Sequence, residues 1–176
     1  MSIENKKREV LLSKAAIDER VEELGKTLTE AYANKNLLVV SLLKGSFIFT
    51  ADLVRKIDLP VRIEFMTTSS YGHGEESTGQ LKIVQDINVD LEDYDVLIVD
   101  DITDSALTMS GVIKLLSERG PKSIKSCVLL DKPSRRKVDY APDYVGFEIP
   151  DMFIVGYGLN YGDHFRNIDH VFAFVD

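Results

Sequence analysis

The sequence has a single cysteine, Cys127, so no disulfide can form within the chain. That cysteine lies in an apolar run, which reads as a buried strand position rather than a nucleophile. The three histidines, His73, His164 and His170, lack the spacing of a zinc site and read as surface or loop residues. No stretch reaches the roughly 18 apolar residues that a membrane-spanning helix needs, and the start shows no secretory pattern. A cytoplasmic protein without membrane contact is the expectation. Internal repeats, low-complexity tracts and Pro/Gly-rich linkers are also missing. Positive charge is scarce: 21 Lys and Arg against 29 Asp and Glu leave a net charge of −8. Such a surface is ill suited to nucleic acid, whose binding needs cations to neutralise phosphates. A small anion remains possible, because a local Lys/Arg cluster or Mg²⁺ can hold one.

What remains is an ordinary globular composition, 44% hydrophobic and 28% charged over 176 residues. It predicts one domain, residues 1–176, with a substantial core. Arg8 to Leu12 reads as a short strand and Ser13 as a helix N-cap, followed by Ile17, Val21, Leu24, Leu28 and Tyr32 at helical spacing. Leu37 to Leu43 is a nearly unbroken apolar run that stops at Lys44-Gly45-Ser46, and Phe47 to Lys56 reads as a helix. Val61 to Met66, Val96 to Val99, Ser126 to Leu130 and Tyr144 to Ile149 continue the strand series. Strands alternating with helices predict an α/β fold, a central parallel sheet flanked by helices on both faces. Ligands of such sheets sit at the carboxyl ends of the strands, where the polar turns after Leu43, Val99 and Leu130 fall.

Two stretches leave alternatives open. Residues 69–80 hold three glycines and almost no apolar anchors, so they read as a lid or as disorder. The Ser-Ser-Tyr start favours the lid, since a tyrosine can cover a pocket. Asp151 to Asp176 is rich in aromatics without helical period. It is either a peripheral strand pair or a flap holding a planar ligand, and composition favours the strand pair.

The strongest chemical signal is Val96-Leu97-Ile98-Val99-Asp100-Asp101-Ile102-Thr103-Asp104-Ser105-Ala106-Leu107-Thr108. A doubly buried strand ends in two acids, then come a small hydroxyl-rich loop and an amphipathic helix over Met109 to Arg119. Helix starts leave N–H groups unpaired, so this loop suits a phosphate. Acids near a helix start also complement its dipole, and for Asp104 alone that explanation would suffice. A pair of acids directly after a buried strand points to function.

This stretch resembles the phosphoribosyl diphosphate motif of the type I phosphoribosyltransferases. Leu42-Leu43-Lys44-Gly45-Ser46-Phe47, Leu129-Leu130-Asp131-Lys132-Pro133-Ser134-Arg135-Arg136 and Phe153-Ile154-Val155-Gly156-Tyr157-Gly158-Leu159 narrow the likeness. A weaker fourth stretch is Ile63-Glu64-Phe65-Met66 leading into the loop. Together they are similar to the hypoxanthine (hypoxanthine-guanine) phosphoribosyltransferases, from about residue 8 to the end.

The resemblance implies a type I phosphoribosyltransferase fold, with a small hood built from the N- and C-terminal segments. It implies a purine-salvage glycosyltransferase of the cytoplasm, transferring 5-phosphoribosyl from phosphoribosyl diphosphate to hypoxanthine and guanine with Mg²⁺ as cofactor. The products would be IMP or GMP and diphosphate. In that likeness Asp100 and Asp101 meet the ribose hydroxyls, directly or through Mg²⁺. Asp104 accepts the proton from purine N7, and Asp104, Ser105, Ala106, Leu107 and Thr108 wrap the 5′-phosphate. Lys132 donates to purine O6; without the motif it would pass as a surface lysine. Phe153 stacks on the base, with Ile154 and Leu159 lining the pocket. Lys44 and Gly45 bind diphosphate through a cis peptide between Leu43 and Lys44, and Arg166 faces the same group. Ser70 and Tyr71 close over the site. Family members form homodimers and homotetramers.

Two positions depart from the pattern. Ala106 replaces the usual glycine of the phosphate loop, and Asn160 stands where the family has a metal-binding aspartate, alongside Asp100 and Asp101. A regulatory module that keeps the fold without catalysis, and a receiver-like domain using the acidic pair for Mg²⁺, are the competing readings. The first does not need Asp104 and Lys132, and the second does not account for Lys132 or the aromatic tail.

Overall fold

The structure, a computed structural model, describes residues 6–70 and 81–175. Strand β1 (Lys7–Leu12) leads to helix α1 (Lys14–Ala31), whose N-cap Ser13 accepts a hydrogen bond from the Ala16 N–H at 3.1 Å. Then come β2 (Leu37–Leu43), α2 (Phe47–Val54), β3 (Arg62–Ser70), β4 (Leu81–Gln85), β5 (Asp95–Thr103), α3 (Leu107–Ser117) and β6 (Ser123–Asp131). A 3-10 turn (Pro133–Arg135), β7 (Tyr144–Glu148), β8 (Ile154–Val155) and β9 (Val171–Val175) complete the chain.

Six strands form the main sheet in the order β4-β3-β2-β5-β6-β7. All neighbours are parallel except β3 and β4, which pair antiparallel from Thr67 with Gln85 to Ser70 with Leu81. The sheet is therefore mixed rather than wholly parallel, and β3 runs beyond its predicted end at Met66 because it has this edge partner. Alternation along the strands sorts the core. Leu37, Val39, Leu97, Val99, Cys127 and Leu129 pack with Ile17, Val21 and Phe49 from α1 and α2. Leu38, Val40, Val96, Ile98 and Val128 pack with Met109, Val112 and Leu116 from α3 on the other face. Arg20 of α1 donates to the carbonyls of Gly146 and Val145 at 2.8 and 2.7 Å, tying down the edge strand β7.

The first and last segments of the described chain make a second, antiparallel sheet in the order β1-β9-β8. The aromatic tail is thus the predicted peripheral strand pair, with β1 as third member. Phe172 and Phe174 meet edge to face at 5.3 Å, and Arg8 of β1 lies over the Phe165 and Phe172 rings at 5.0 and 5.1 Å.

Strand order also locates the ligand crevice. From β2 the chain winds outward through β3, and from β5 it winds the other way through β6 and β7, so the switch point lies between β2 and β5. Their pairing ends at Ser41 with Val99, whereas β5 continues beside β6 to Thr103 with Asp131. Asp100 and Asp101 therefore lie within β5, not beyond it. One flank of this last stretch has lost its partner strand and is open.

Candidate active site

The crevice floor is the vacated end of β5. Asp101 N–H donates to Asp100 Oδ1 at 2.9 Å, and Ile102 N–H to Asp101 Oδ1 at 2.8 Å. Burial pushes the Asp100 carboxyl well above its ordinary value, and the negative charge of Asp101 adds to the shift. Burial also raises Asp101, opposed by its hydrogen bonds with Asp100 and Ile102 and by the charge of Arg166. Two carboxylates recessed side by side ionise reluctantly, and a cation between them would remove that cost.

Beyond the floor the chain turns into α3. A cavity of about 100 Å³ opens here, lined by Asp100, Ile102, Thr103, Asp104, Ser105, Ala106, Thr108 and Met109. That is roughly three waters' share of liquid volume, the scale of one tetrahedral oxyanion. The cap position of α3 is Ala106, whose side chain makes no cap hydrogen bond, so the first-turn N–H groups after Leu107 suit an anion. Leu107 is only half-buried at the helix start; its N–H donates to Ser105 Oγ at 3.3 Å. Ala106 itself has φ +66°. The loop position that departs from the family pattern does require the left-handed region. Asp104 is exposed, with Oδ1 accepting the Ser105 N–H.

Across the crevice, β2 ends in the turn that carries Lys44 and Gly45, with a cis peptide between Leu43 and Lys44. A Cβ on Gly45 would overlap the Asp101 carboxylate, so any larger residue here would push that carboxylate out of its present place. Buried hydroxyls brace the turn from below: Ser41 Oγ lies 2.8 Å from Ser46 Oγ and 2.7 Å from Thr50 Oγ1. Lys44 is exposed. The hood touches the same turn through Gly158 (φ +98°), where a Cβ would overlap the Gly45 carbonyl oxygen. Arg166 Nη1 donates to Gly158 O at 2.7 Å, which places its charge beside Asp101.

On the other flank, β6 ends at Asp131 and Lys132. Lys132 is buried, unusual for lysine, with Nζ 3.9 Å from Asp151 Oδ1. Phe153 is 60% exposed and meets the Tyr161 ring edge-on at 5.7 Å, leaving a face for a planar ligand. Ile154 is buried in the core, so of the two expected lining residues only the half-buried Leu159 keeps an accessible face. Asn160 is exposed, and its Nδ2 donates to Gly162 O, leaving one neutral amide oxygen. Ser70 is the last residue of β3; Tyr71 and the rest of the expected lid lie outside the described residues.

Sequence reasoning passed over four residues that organise this site: Gly158, Tyr157, Asp131 and Arg136. All lay inside quoted motifs, but none belongs to a residue type that announces its partner. Cys127 is buried and its thiol is pushed up to about 12, which agrees with an inert strand cysteine.

An anion cradle and an acidic pair at the switch point of this sheet define a phosphoribosyltransferase. The chain belongs to that family: the phosphoribosyl transferase domain matches residues 8–162. It is similar to the hypoxanthine-guanine phosphoribosyltransferase of Aquifex aeolicus, 49% identical over 99% of this chain and 98% of the relative. It is 47% identical to the hypoxanthine phosphoribosyltransferase of Salmonella typhimurium over 93% of each chain. Among solved structures, a hypoxanthine phosphoribosyltransferase from Staphylococcus aureus superposes with a TM-score of 0.93 at 42% identity, covering 98% of this chain and 93% of that one.

Proposed function

We propose that the protein is a purine-salvage enzyme that transfers the 5-phosphoribosyl group of phosphoribosyl diphosphate to hypoxanthine or guanine, giving IMP or GMP and diphosphate. One observation carries this reading. At the carboxyl end of β5 an anion-sized cavity is lined by Asp100 and Asp104, with Asp101 next in the chain to Asp100, and just past β6 the buried Lys132 stands on the adjoining flank.

The phosphate sits on the first turn of α3, within Asp104 to Thr108. Diphosphate lies against Lys44, Gly45 and Arg166. As the bond from ribose C1 to the diphosphate oxygen breaks, the sugar gains oxocarbenium character, which the Asp100 and Asp101 carboxylates stabilise. The unprotonated imidazole nitrogen of the purine bonds to C1 as the diphosphate oxygen leaves, and the proton on N7 passes to the exposed carboxylate of Asp104. Lys132 donates to the 6-oxo group, so an adenine, whose 6-amino group is a donor, is rejected. Phe153 covers the base and Leu159 borders it. Ser70 and Tyr71 close over the reacting atoms and exclude water.

The donor set fits Mg²⁺. No cluster of three or more His, Cys, Asp or Glu is placed for a metal among the described residues, so no all-protein cage exists. Mg²⁺ binds through one or two carboxylates and completes its shell with water and substrate oxygens. Asp100 and Asp101 are the residues to hold it, with Asn160 as a weaker, neutral third. When bound, it offsets charge on the leaving diphosphate.

The protein works in the cytoplasm as a homodimer or homotetramer; among described residues no helix is long and apolar enough to cross a membrane. Exposed Phe47, Ile63 and Phe65 line a groove of about 470 Å³ and support self-association. The net charge of −8 argues against nucleic acid as a partner.

The test is nucleotide formation from phosphoribosyl diphosphate and Mg²⁺ with hypoxanthine, guanine, xanthine or adenine. IMP and GMP are expected, and AMP is not. Asp104→Asn should lower turnover about a hundredfold, in the range of lost general-base help. Unchanged turnover in a folded variant removes Asp104 as the base.

A further inference from the structure

We propose that Arg136 is a positioning residue for the transfer, holding the Asp104 loop against the turn that carries Lys132. The inference rests on the roles proposed above for those two residues. Lys132 must fix the purine and Asp104 must receive its proton, yet they belong to different connections, β6 to β7 and β5 to α3. Something has to set the distance between the two turns.

The main chain supplies part of the answer. Lys132 N–H donates to Thr103 O at 2.9 Å, and Lys137 N–H donates to Ser105 O at 3.0 Å. These bonds flank Asp104 on both sides but leave its own carbonyl without a backbone donor among the described residues. Arg136 fills that gap: Nη1 donates to Asp104 O at 3.0 Å. Its other nitrogens are committed on the β6 side, Nε to Tyr140 O at 2.7 Å and Nη2 to an ion pair with Asp131 Oδ1 at 2.8 Å. The guanidinium also lies over the Tyr140 ring at 5.8 Å.

Two carbonyl acceptors and a carboxylate ion-pair partner in three directions suit a planar guanidinium. Asp131 immediately precedes Lys132, so the fork connects the lysine's own strand end to the catalytic loop. The Asp131 side chain is only 10% exposed, and its Oδ1 makes no hydrogen bond among the described residues. The Arg136 charge is what balances that burial. Asp104, by contrast, is exposed, and among the described residues its carboxylate is held only by the next residue's N–H. An exposed base on a short loop keeps its geometry only if its backbone is anchored, and a misplacement near 1 Å can cost about a hundredfold in rate.

The experiment is a double-mutant cycle on kcat with hypoxanthine, using Asp104→Asn, Arg136→Ala and the pair. If Arg136 acts through Asp104, Arg136→Ala alone lowers kcat by about tenfold to a hundredfold. In the Asp104→Asn background it then costs less than about twofold, because coupled residues are non-additive. The KM for phosphoribosyl diphosphate should change less than kcat, since Arg136 makes none of the proposed contacts to diphosphate or phosphate itself and reaches the phosphate loop only at the Asp104 carbonyl. A second background covers loss of fold. Asp131→Asn removes the buried charge, so Asp131→Asn with Arg136→Ala should fold and still show the low kcat. Multiplying effects in the cycle overturn the inference. So does recovery of kcat in the Asp131→Asn pair, which would make Arg136 a counter-charge alone. Failure of the proposed function looks different: Asp104→Asn by itself would then leave kcat unchanged.

Discussion

At the scale of single residues, Ala106 shows opposing terms of similar size. Its φ of +66° places a Cβ in the left-handed region, at a cost of roughly 1–2 kcal/mol. Glycine would remove that strain. It would also forfeit a methyl that is only 3% exposed, worth about 0.8 kcal/mol, and it would gain freedom in the unfolded chain worth about 0.4–1 kcal/mol. These terms nearly cancel, which is a physical reason that alanine persists here. Ala106→Gly is therefore expected to change the unfolding free energy by less than about 1 kcal/mol. Ala106→Val puts a β-branched side chain on a left-handed backbone and should cost about 3 kcal/mol. Urea denaturation of the two variants decides it; a large gain for glycine would mean that the methyl packs against nothing of value.

At the scale of elements, β4 is held by more than its ladder with β3. Asp86 follows β4 and Arg119 follows α3, and the two make a bidentate pair at 3.0 and 2.6 Å. The Arg119 hydrogen bond holds the Asp86 carboxyl below its ordinary value, helped by the Ile87 N–H. A depressed folded value means that the pair's stability is fully present above the unfolded carboxyl range, near 4. It is lost as pH falls through the lower folded value. Both side chains are about a third or more exposed, so solvent screens the pair and its worth is small. The stability difference between wild type and Arg119→Ala should stay constant from about pH 8 to 5 and shrink below about pH 4. A difference that persists at low pH would assign the effect to Arg119 packing instead. Elements of this kind mark what was legible beforehand. The limits of β2 and the cap and stripe of α1 follow from local pattern, and the structure repeats them closely. The end of β5 does not: Asp100 to Thr103 stay in a strand because β6 runs alongside, and no local pattern encodes a neighbour. The same holds for β4 and for β1, whose partner β9 lies at the far end of the chain. The phosphate loop and acids were legible because their chemistry is consecutive in sequence. Arg136 and Gly158 were not, because each takes its meaning from a carbonyl on another turn.

At the scale of the whole molecule, the hood and the sheet body share one core. Ile154, Tyr157 and Val171 pack in the same cluster as Ile17, Val39 and Phe49, so the hood and the sheet body are continuous through one buried cluster among the described residues. One polar contact crosses the joint as well. Tyr157 is buried, with φ +50°, and its hydroxyl donates to Asp52 Oδ2 of α2 at 2.5 Å. Burial and the Asp52 carboxylate hold this phenol well above its ordinary value, so it remains a donor across the working pH range. Tyr157 sits next to Gly158, which touches the Lys44–Gly45 turn at the start of the α2 segment. The bond therefore fixes the hood where it meets the proposed diphosphate site. Asp52 keeps about a third of its side chain exposed, so water can replace the lost donor in part. Tyr157→Phe should then cost about 1 kcal/mol, the net worth of an ordinary hydrogen bond. Because the core is shared, the variant should still unfold in a single urea transition, with circular dichroism and tyrosine fluorescence coincident. The KM for phosphoribosyl diphosphate should rise more than that for hypoxanthine, since the loosened joint lies on the diphosphate side. Two resolved transitions would show instead that the hood is an autonomous lobe, held to the sheet by this one contact rather than by the buried cluster.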